Sequence, residues 1–312
     1  MKRLIIDNDG LSDDVAAIVM ACAREDVIIE AITVVRGCVP LDQAVQNVLY
    51  TTELCQSDAP VYPGAHKPLL RELAPDDYHG KDGLGDIGLP LYGRTPENGH
   101  AVNVLVRKIN VFADEIILVT LGPLTNVALA LMMDPSIAKK VARCVVMGSS
   151  GFGVGNVTPV SEANIWMDPE AAKIVLESGM KIELVGWDIA YTDGIFTPEE
   201  QSELRRIGNK QAEFFVDVNE ILLKNALAYN DFAGIDYADP IAMAVALEPS
   251  IVTYAEAVPT VITTDDVTRG QVVLARRAYQ HPEDRAKINV VTRVDPAGFK
   301  QLVHKSLAYY SV

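Results

Sequence analysis

Four carboxylates fall within eight positions near the start of the chain, in Asp7-Asn8-Asp9-Gly10-Leu11-Ser12-Asp13-Asp14. Carboxylate oxygens are hard donors, and several of them converging on one point suit a hard cation such as Ca²⁺ or Mg²⁺. Charges gathered in a dry place are costly unless they find a partner or a metal. Asp9 and Asp14 bracket the turn, so both side chains reach one point above the end of the preceding strand. The turn also has a purely structural use. Ser12 is a good helix cap, and Asp13 and Asp14 favour a helix's first turn. That use leaves Asp7 and Asp9, on the strand side, without a role.

Other stretches carry candidate chemistry. His79-Gly80-Lys81-Asp82-Gly83-Leu84-Gly85-Asp86 lies inside a Pro- and Gly-rich segment, 64–98, that breaks the regular pattern. A long polar loop in a compact domain is commonly functional or disordered. Gly148 to Asn156 is glycine-rich but lacks a Gly-Lys-Ser/Thr ending, and its spacing does not fit GxGxxG, which excludes a nucleotide-phosphate loop. Glu162 and Asn164 alternate along what reads as an extended segment, so they face one side and suit hydroxyl recognition. Asp168-Pro169 and Asp239-Pro240 read as helix caps followed by proline at the first helical position.

These residues need a scaffold, and hydrophobic periodicity supplies one. Leu4-Ile5-Ile6 reads as a buried strand, and Val15, Ala16, Ile18, Val19, Ala21 and Cys22 recur at helical spacing. Strands are expected at 27–35, 61–62, 115–119, 142–147 and 182–186, and helices at 41–54, 101–111, 198–207 and 210–227. Strands alternating with helices predict an open, mostly parallel Rossmann-like sheet flanked by helices. Ligands bind such sheets outside the carboxyl ends of their strands. The Asp7–Asp14 turn and Cys38 lie on that edge, and a backbone carbonyl at Thr120 or Leu121 would point out of it. Segments 258–263, 271–274 and 288–291 read as a small peripheral sheet, and 299–307 as a closing helix. Neither a repeat nor a linker interrupts 1–312, which reads as a single domain.

Composition narrows the function classes. Asp and Glu outnumber Lys and Arg by 42 to 27, a formal charge of −15, which argues against nucleic acid as a partner. Without an apolar run of membrane-spanning length or a signal peptide, a soluble cytoplasmic protein with no membrane partner is expected. Cys22, Cys38, Cys55 and Cys144 show no CxxC spacing, so free thiols are expected rather than zinc or disulfides.

In their order and spacing, DNDGLSDD at 7–14, HGKDGLG at 79–85, LGPLTN at 121–126, GN at 155–156, EANIWMDPEAA at 162–172 and ADP at 238–240 resemble the nucleoside hydrolases, the inosine–uridine-preferring N-ribohydrolase family. The resemblance runs over essentially the whole chain. It implies Ca²⁺-dependent hydrolysis of the N-glycosidic bond of ribonucleosides. Asp9, Asp14, Asp239 and the Leu121 carbonyl would hold the cation, and Asp9 would act as general base on a water beneath the anomeric carbon. Asp13, Asn156, Glu162, Asn164 and Asp239 would meet the ribose, and His79, Trp166 and Tyr229 the base. A homodimer or homotetramer is implied as well.

The chain departs from the family pattern in three places. Gly10-Leu11 replaces the usual Pro-Gly of the acidic turn. Cys38 stands where many members have a ribose-contacting Asn, and a thiol is a weak hydrogen-bonding group. Ala238 stands where several members have a His that protonates the leaving base; His79, Tyr229, Tyr237 and Trp166 are the candidates to replace it. Two rival readings follow. One is a Ca²⁺-dependent ribose or nucleoside binding protein without turnover. The other is a DxD phosphohydrolase with Asp7 as nucleophile and Asp9 as acid.

Overall fold

A computed structural model of the chain describes residues 1–74, 76–229, 232–277 and 285–311; the side chain of Tyr229 lies outside what is described. The chain opens as β1 (Lys2–Asn8) and α1 (Ser12–Cys22), followed by β2 (Val27–Val34), α2 (Leu41–Leu54) and β3 (Val61–Pro63). A long segment without helix or strand leads to α3 (Ala101–Val111), β4 (Ile116–Thr120), α4 (Thr125–Met133) and β5 (Arg143–Met147). Next come α5 (Ala163–Met167), α6 (Pro169–Leu176), β6 (Ile182–Val185), α7 (Trp187–Asp193) and β7 (Ile195–Phe196). After these stand α8 (Pro198–Arg205), α9 (Lys210–Asp217), α10 (Glu220–Tyr229), β8 (Ile235–Asp236) and α11 (Ala238–Leu247). The chain closes with β9 (Val252–Val261), β10 (Val272–Ala275), β11 (Ile288–Val294) and α12 (Pro296–Ala308).

Among the described residues, nine strands form one sheet in the order β10-β9-β11-β6-β5-β4-β1-β2-β3. From β3 to β6 and on to β11 every pairing is parallel, whereas β9 runs antiparallel to both β11 and β10. The chain leaves β1 toward β2 and β3, then returns to the other side of β1 for β4. That reversal opens a crevice beside the carboxyl end of β1, the place where open α/β sheets bind ligands.

The crevice has a rigid floor. Val15 to Met20 in α1 and Ile241 to Leu247 in α11 are wholly buried, and the two helices pack against each other. A helix that is apolar all round belongs in a core. Each Val, Ile, Leu or Met among them, fully buried, contributes roughly 1.5–3 kcal/mol. The first turns of α1 and α11 carry Asp13, Asp14 and Asp239, so their positions are set by this packing.

Two expectations need correction. The segments expected to form a peripheral sheet are β9–β11, and β11 pairs with β6 through Asn289 and Val290, so they extend the main sheet. Periodicity marks such strands but cannot choose their partners. The helix expected over 210–227 is two helices. At the break, Asn219 donates its amide to the Phe215 and Ser12 carbonyls, tying the junction to the start of α1.

Candidate active site at the carboxyl edge of the sheet

The acidic turn is built by hydrogen bonds specific to this sequence. Gly10 has φ +70°, and a Cβ there would come 2.5 Å from the Ala44 carbonyl oxygen, so glycine is required both for conformation and for space. The Asp14 carboxylate accepts from the Leu11 N–H at 3.0 Å and the Asp9 N–H at 3.3 Å. Asp14 therefore satisfies the N–H of Leu11, the residue that precedes α1, and Ser12, the first helical residue, does not cap it. The Ser12 hydroxyl instead meets His79 Nδ1 at 3.0 Å. Asn47 donates to the carbonyls of Gly10 and Asp82 at 2.8 Å each, which fastens the turn to the 79–86 loop.

Asp7 and Asp9 point to different places. Asp7 is fully buried beneath the floor, where one oxygen accepts from Thr33 Oγ1 at 2.6 Å and Asn126 Nδ2 at 2.8 Å. Its other oxygen has no partner, and burial pushes the carboxyl up to about 7. Asp9 is pressed between the exits of β2 and β4. A Cβ on Gly37 would overlap its carboxylate, and one on Gly122 would come 2.9 Å from its backbone nitrogen. Burial raises the Asp9 carboxyl to about 6. Burial, followed by the charges of the neighbouring acids, holds Asp14 and Asp239 well above the ordinary carboxylate range.

The carboxylates of Asp13, Asp14 and Asp239 offer ligand oxygens within 4.8 Å of one another. This tight group contains Asp13, which the sequence motifs assign to the sugar, while Asp9 approaches it through Asp14. Acids that raise one another's proton affinity in a buried place are a hard-oxygen donor set, and they fit a divalent cation.

Around this floor, Leu121 presents its carbonyl oxygen, which accepts from Asn164 Nδ2 at 2.6 Å. Glu162 and Asn164 do not alternate along an extended segment. Glu162 caps the short helix α5, accepting from the N–H groups of Asn164 and Ile165 and also from Ser149, and Asn164 lies in the helix's first turn. They still converge, because the cap turns both toward the sheet edge; burial raises Glu162 to about 7. Asn156 is exposed, with its carbonyl oxygen accepting from the Ala163 N–H. His79 lies 3.6 Å from Asp13 through Nδ1. Cys38 is buried at the lip of a cleft of about 320 Å³, bounded by Val39, Pro40, Asp76, Asp77 and Lys81. Burial, then Asp9's charge, pushes its thiol up, so it stays neutral.

Other candidates lie elsewhere. Trp166 carries the Arg269 guanidinium 3.9 Å above its ring, which covers that face. Tyr237 is fully buried against Phe196 and Phe215 with its hydroxyl on Gln201, so it is core and no leaving-group acid. Asp168 caps α6 and accepts from Thr125, as its sequence context predicts. Tyr229's side chain falls outside the described residues. Trp187 and Asp236, which the sequence motifs do not single out, are joined by a 2.6 Å hydrogen bond. A Trp placed directly after a strand-ending Gly, with an acid three residues before Asp239, was the available signal.

The family model described as inosine-uridine preferring nucleoside hydrolase matches residues 4–301. The chain belongs to this family. The pyrimidine-specific ribonucleoside hydrolase RihA of Escherichia coli is 34% identical over 99% of both chains. Among solved structures, the plant nucleoside hydrolase PpNRh1 is 32% identical with a TM-score of 0.92, covering 98% of this chain and 99% of its own. The purine-preferring ribonucleoside hydrolase from Gardnerella vaginalis is 27% identical with a TM-score of 0.91, covering 98% of each. This chain is thus an enzyme of the ribonucleoside hydrolases, which act on N-glycosyl bonds. Likeness to a pyrimidine-specific and to a purine-preferring relative leaves the choice of base to the residues around the site. No described helix is long and apolar enough to cross a membrane.

Proposed function

We propose that this hydrolase splits ribonucleosides into free base and ribose, with Ca²⁺ held by Asp9, Asp14, Asp239 and the Leu121 carbonyl, in a nucleoside salvage role. The observation that carries the reading is the convergence of Asp13, Asp14 and Asp239 within 4.8 Å, with Asp9 beside them, at the carboxyl end of β1. When bound, the cation supplies Lewis-acid binding of the ribose hydroxyls and lowers the proton affinity of a nearby water. Asp9, raised toward neutrality, takes the proton of the attacking water. The C1′–N bond then breaks through a state with oxocarbenium character, which the surrounding carboxylates stabilise.

Asp13, Glu162, Asn164 and Asn156 hold the sugar hydroxyls, with the neutral Cys38 thiol at the lip. A site that bonds the 2′-hydroxyl rejects deoxyribose, because its buried polar groups would be left unpaired. With Ala238 unable to donate a proton, His79, positioned by Ser12 and Asp13, is assigned to the leaving base. The protein is proposed to be cytoplasmic and homo-oligomeric, as a dimer or tetramer.

Ala238 favours one second reading, a nucleoside binding protein without turnover. The phosphohydrolase reading has no support, since Asp7 is buried beneath the floor and held by Thr33 and Asn126. Release of free base, lost in Asp9→Asn, tests the proposal. Tight binding of intact nucleoside by the wild type with no base released would establish the binding protein instead.

A further inference from the structure

Trp187 is a buried residue whose ring packs in the core, while its indole N–H reaches Asp236, which is only partly buried. Trp187 opens α7 where β6 ends, and its backbone N–H donates to the Ser149 carbonyl at 2.9 Å. The Ser149 N–H is held in turn by the Glu162 carboxylate at 2.9 Å. On the other side, the Trp187 indole donates to Asp236 Oδ2 at 2.6 Å. Asp236 ends β8, three residues before Asp239, and Asp13's charge bears on it. One hydrogen bond therefore spans the Glu162 and Asp239 sides of the floor.

The surroundings are aromatic. Tyr191 meets the Trp187 ring edge-on at 4.9 Å, Phe232 lies 5.8 Å from it, and Tyr191 and Phe232 stack at 5.6 Å and 22°. The Tyr191 hydroxyl accepts from the Val154 N–H at 3.4 Å, which ties this wall to the loop carrying Asn156. A half-buried carboxylate held by the Trp187 indole at the edge of this aromatic cluster is unfavourable for the fold alone, and an acid is a poor strand residue. Burial pushes its carboxyl up to about 6 and the indole N–H opposes that shift, so the group is chiefly an acceptor at neutral pH. A nucleobase matches such a surface: it has flat faces for aromatic contact and N–H donors on its edge.

We infer that Asp236, oriented by Trp187, is a specificity-determining residue that accepts a hydrogen bond from an N–H on the edge of the base, in a subsite walled by Trp187, Tyr191 and Phe232. The inference rests on the ribonucleoside reading above. Uracil offers its ring N3–H and hypoxanthine its ring N1–H, so either base satisfies the carboxylate, whereas the ring-N-methylated forms cannot.

The test compares uridine with N3-methyluridine and inosine with N1-methylinosine on the full chain with Ca²⁺. Wild type is expected to favour each unmethylated substrate by about tenfold or more in kcat/KM. Asp236→Ala should remove most of that preference by raising KM for the unmethylated substrates, leaving the methylated ones within about twofold. Trp187→Phe, which keeps a ring and removes the indole donor, should fall between. Equal losses on both members of each pair, or an unchanged preference, would overturn the inference. A second readout does not need turnover. In a Trp166→Phe background Trp187 is the only tryptophan of the two, and uracil or hypoxanthine should quench its fluorescence, with the quenching lost in Asp236→Ala. If wild type releases no base at all, the hydrolase reading fails. The subsite then stands on quenching and falls without it.

Discussion

Asp9 is closely confined, wedged against Gly37 and Gly122 with its backbone N–H on Asp14. That confinement aims one base at one point, and replacing it should remove chemistry more than binding. Asp9→Asn is expected to lower kcat by about 10²–10⁴ while thermal melting changes little; base-release kinetics and a melt measure the two. The raised carboxyls also make a statement about stability. Glu162 at about 7 and Asp9 at about 6 lie above the ordinary range near 4, so between those values the folded chain holds protons that the unfolded chain has released. Stability contributed by these groups therefore falls as pH rises from about 4 to 7. With a chelator present, the melting temperature should be several degrees higher at pH 5 than at pH 7.5. Added Ca²⁺ should remove most of the difference by taking the protons' place. An equal fall with and without the cation would contradict the assignment of the acids to a metal site.

At the scale of elements, legibility followed locality. Helices 41–54 and 101–111 match their expected bounds, because apolar periodicity over three turns or more is a local signal. The five-residue α5 was invisible to periodicity, so Glu162 and Asn164 were placed on one face for the wrong geometric reason. The union of β9–β11 with the parallel sheet depends on β11 meeting β6, about a hundred residues away, which no window contains. The acidic turn stands out in the sequence as a candidate cation site because four acids in eight residues are hard to explain otherwise. Its detailed wiring does not, since Asp14 accepting from the Leu11 N–H and Asn47 reaching the turn require three-dimensional contacts. The exits of β2 and β4 yield a prediction of their own. Gly37→Ala places a methyl on the Asp9 carboxylate, so it should abolish most base release and lower stability by about 1–3 kcal/mol. Denaturant melts and activity together would show both, and a fully active Gly37→Ala enzyme would disprove the tight approach.

For the whole molecule, a charge of −15 and a crevice floored by acids favour cation capture. Sedimentation should give a mass of two or four times 33.9 kDa if the proposed homo-oligomer forms, and a mass of one chain would refute it. The central claim is that this fold presents a cation-dependent ribonucleoside hydrolase site, and chromatographic release of free base tests it most directly. Inosine, adenosine, guanosine, uridine and cytidine would be incubated with the enzyme in Ca²⁺ and in chelator, with deoxyinosine as control. The account predicts base release from one or more ribonucleosides, suppressed by the chelator and at least about a hundredfold weaker on deoxyinosine. No release from any ribonucleoside in Ca²⁺, or release that the chelator leaves untouched, would contradict it.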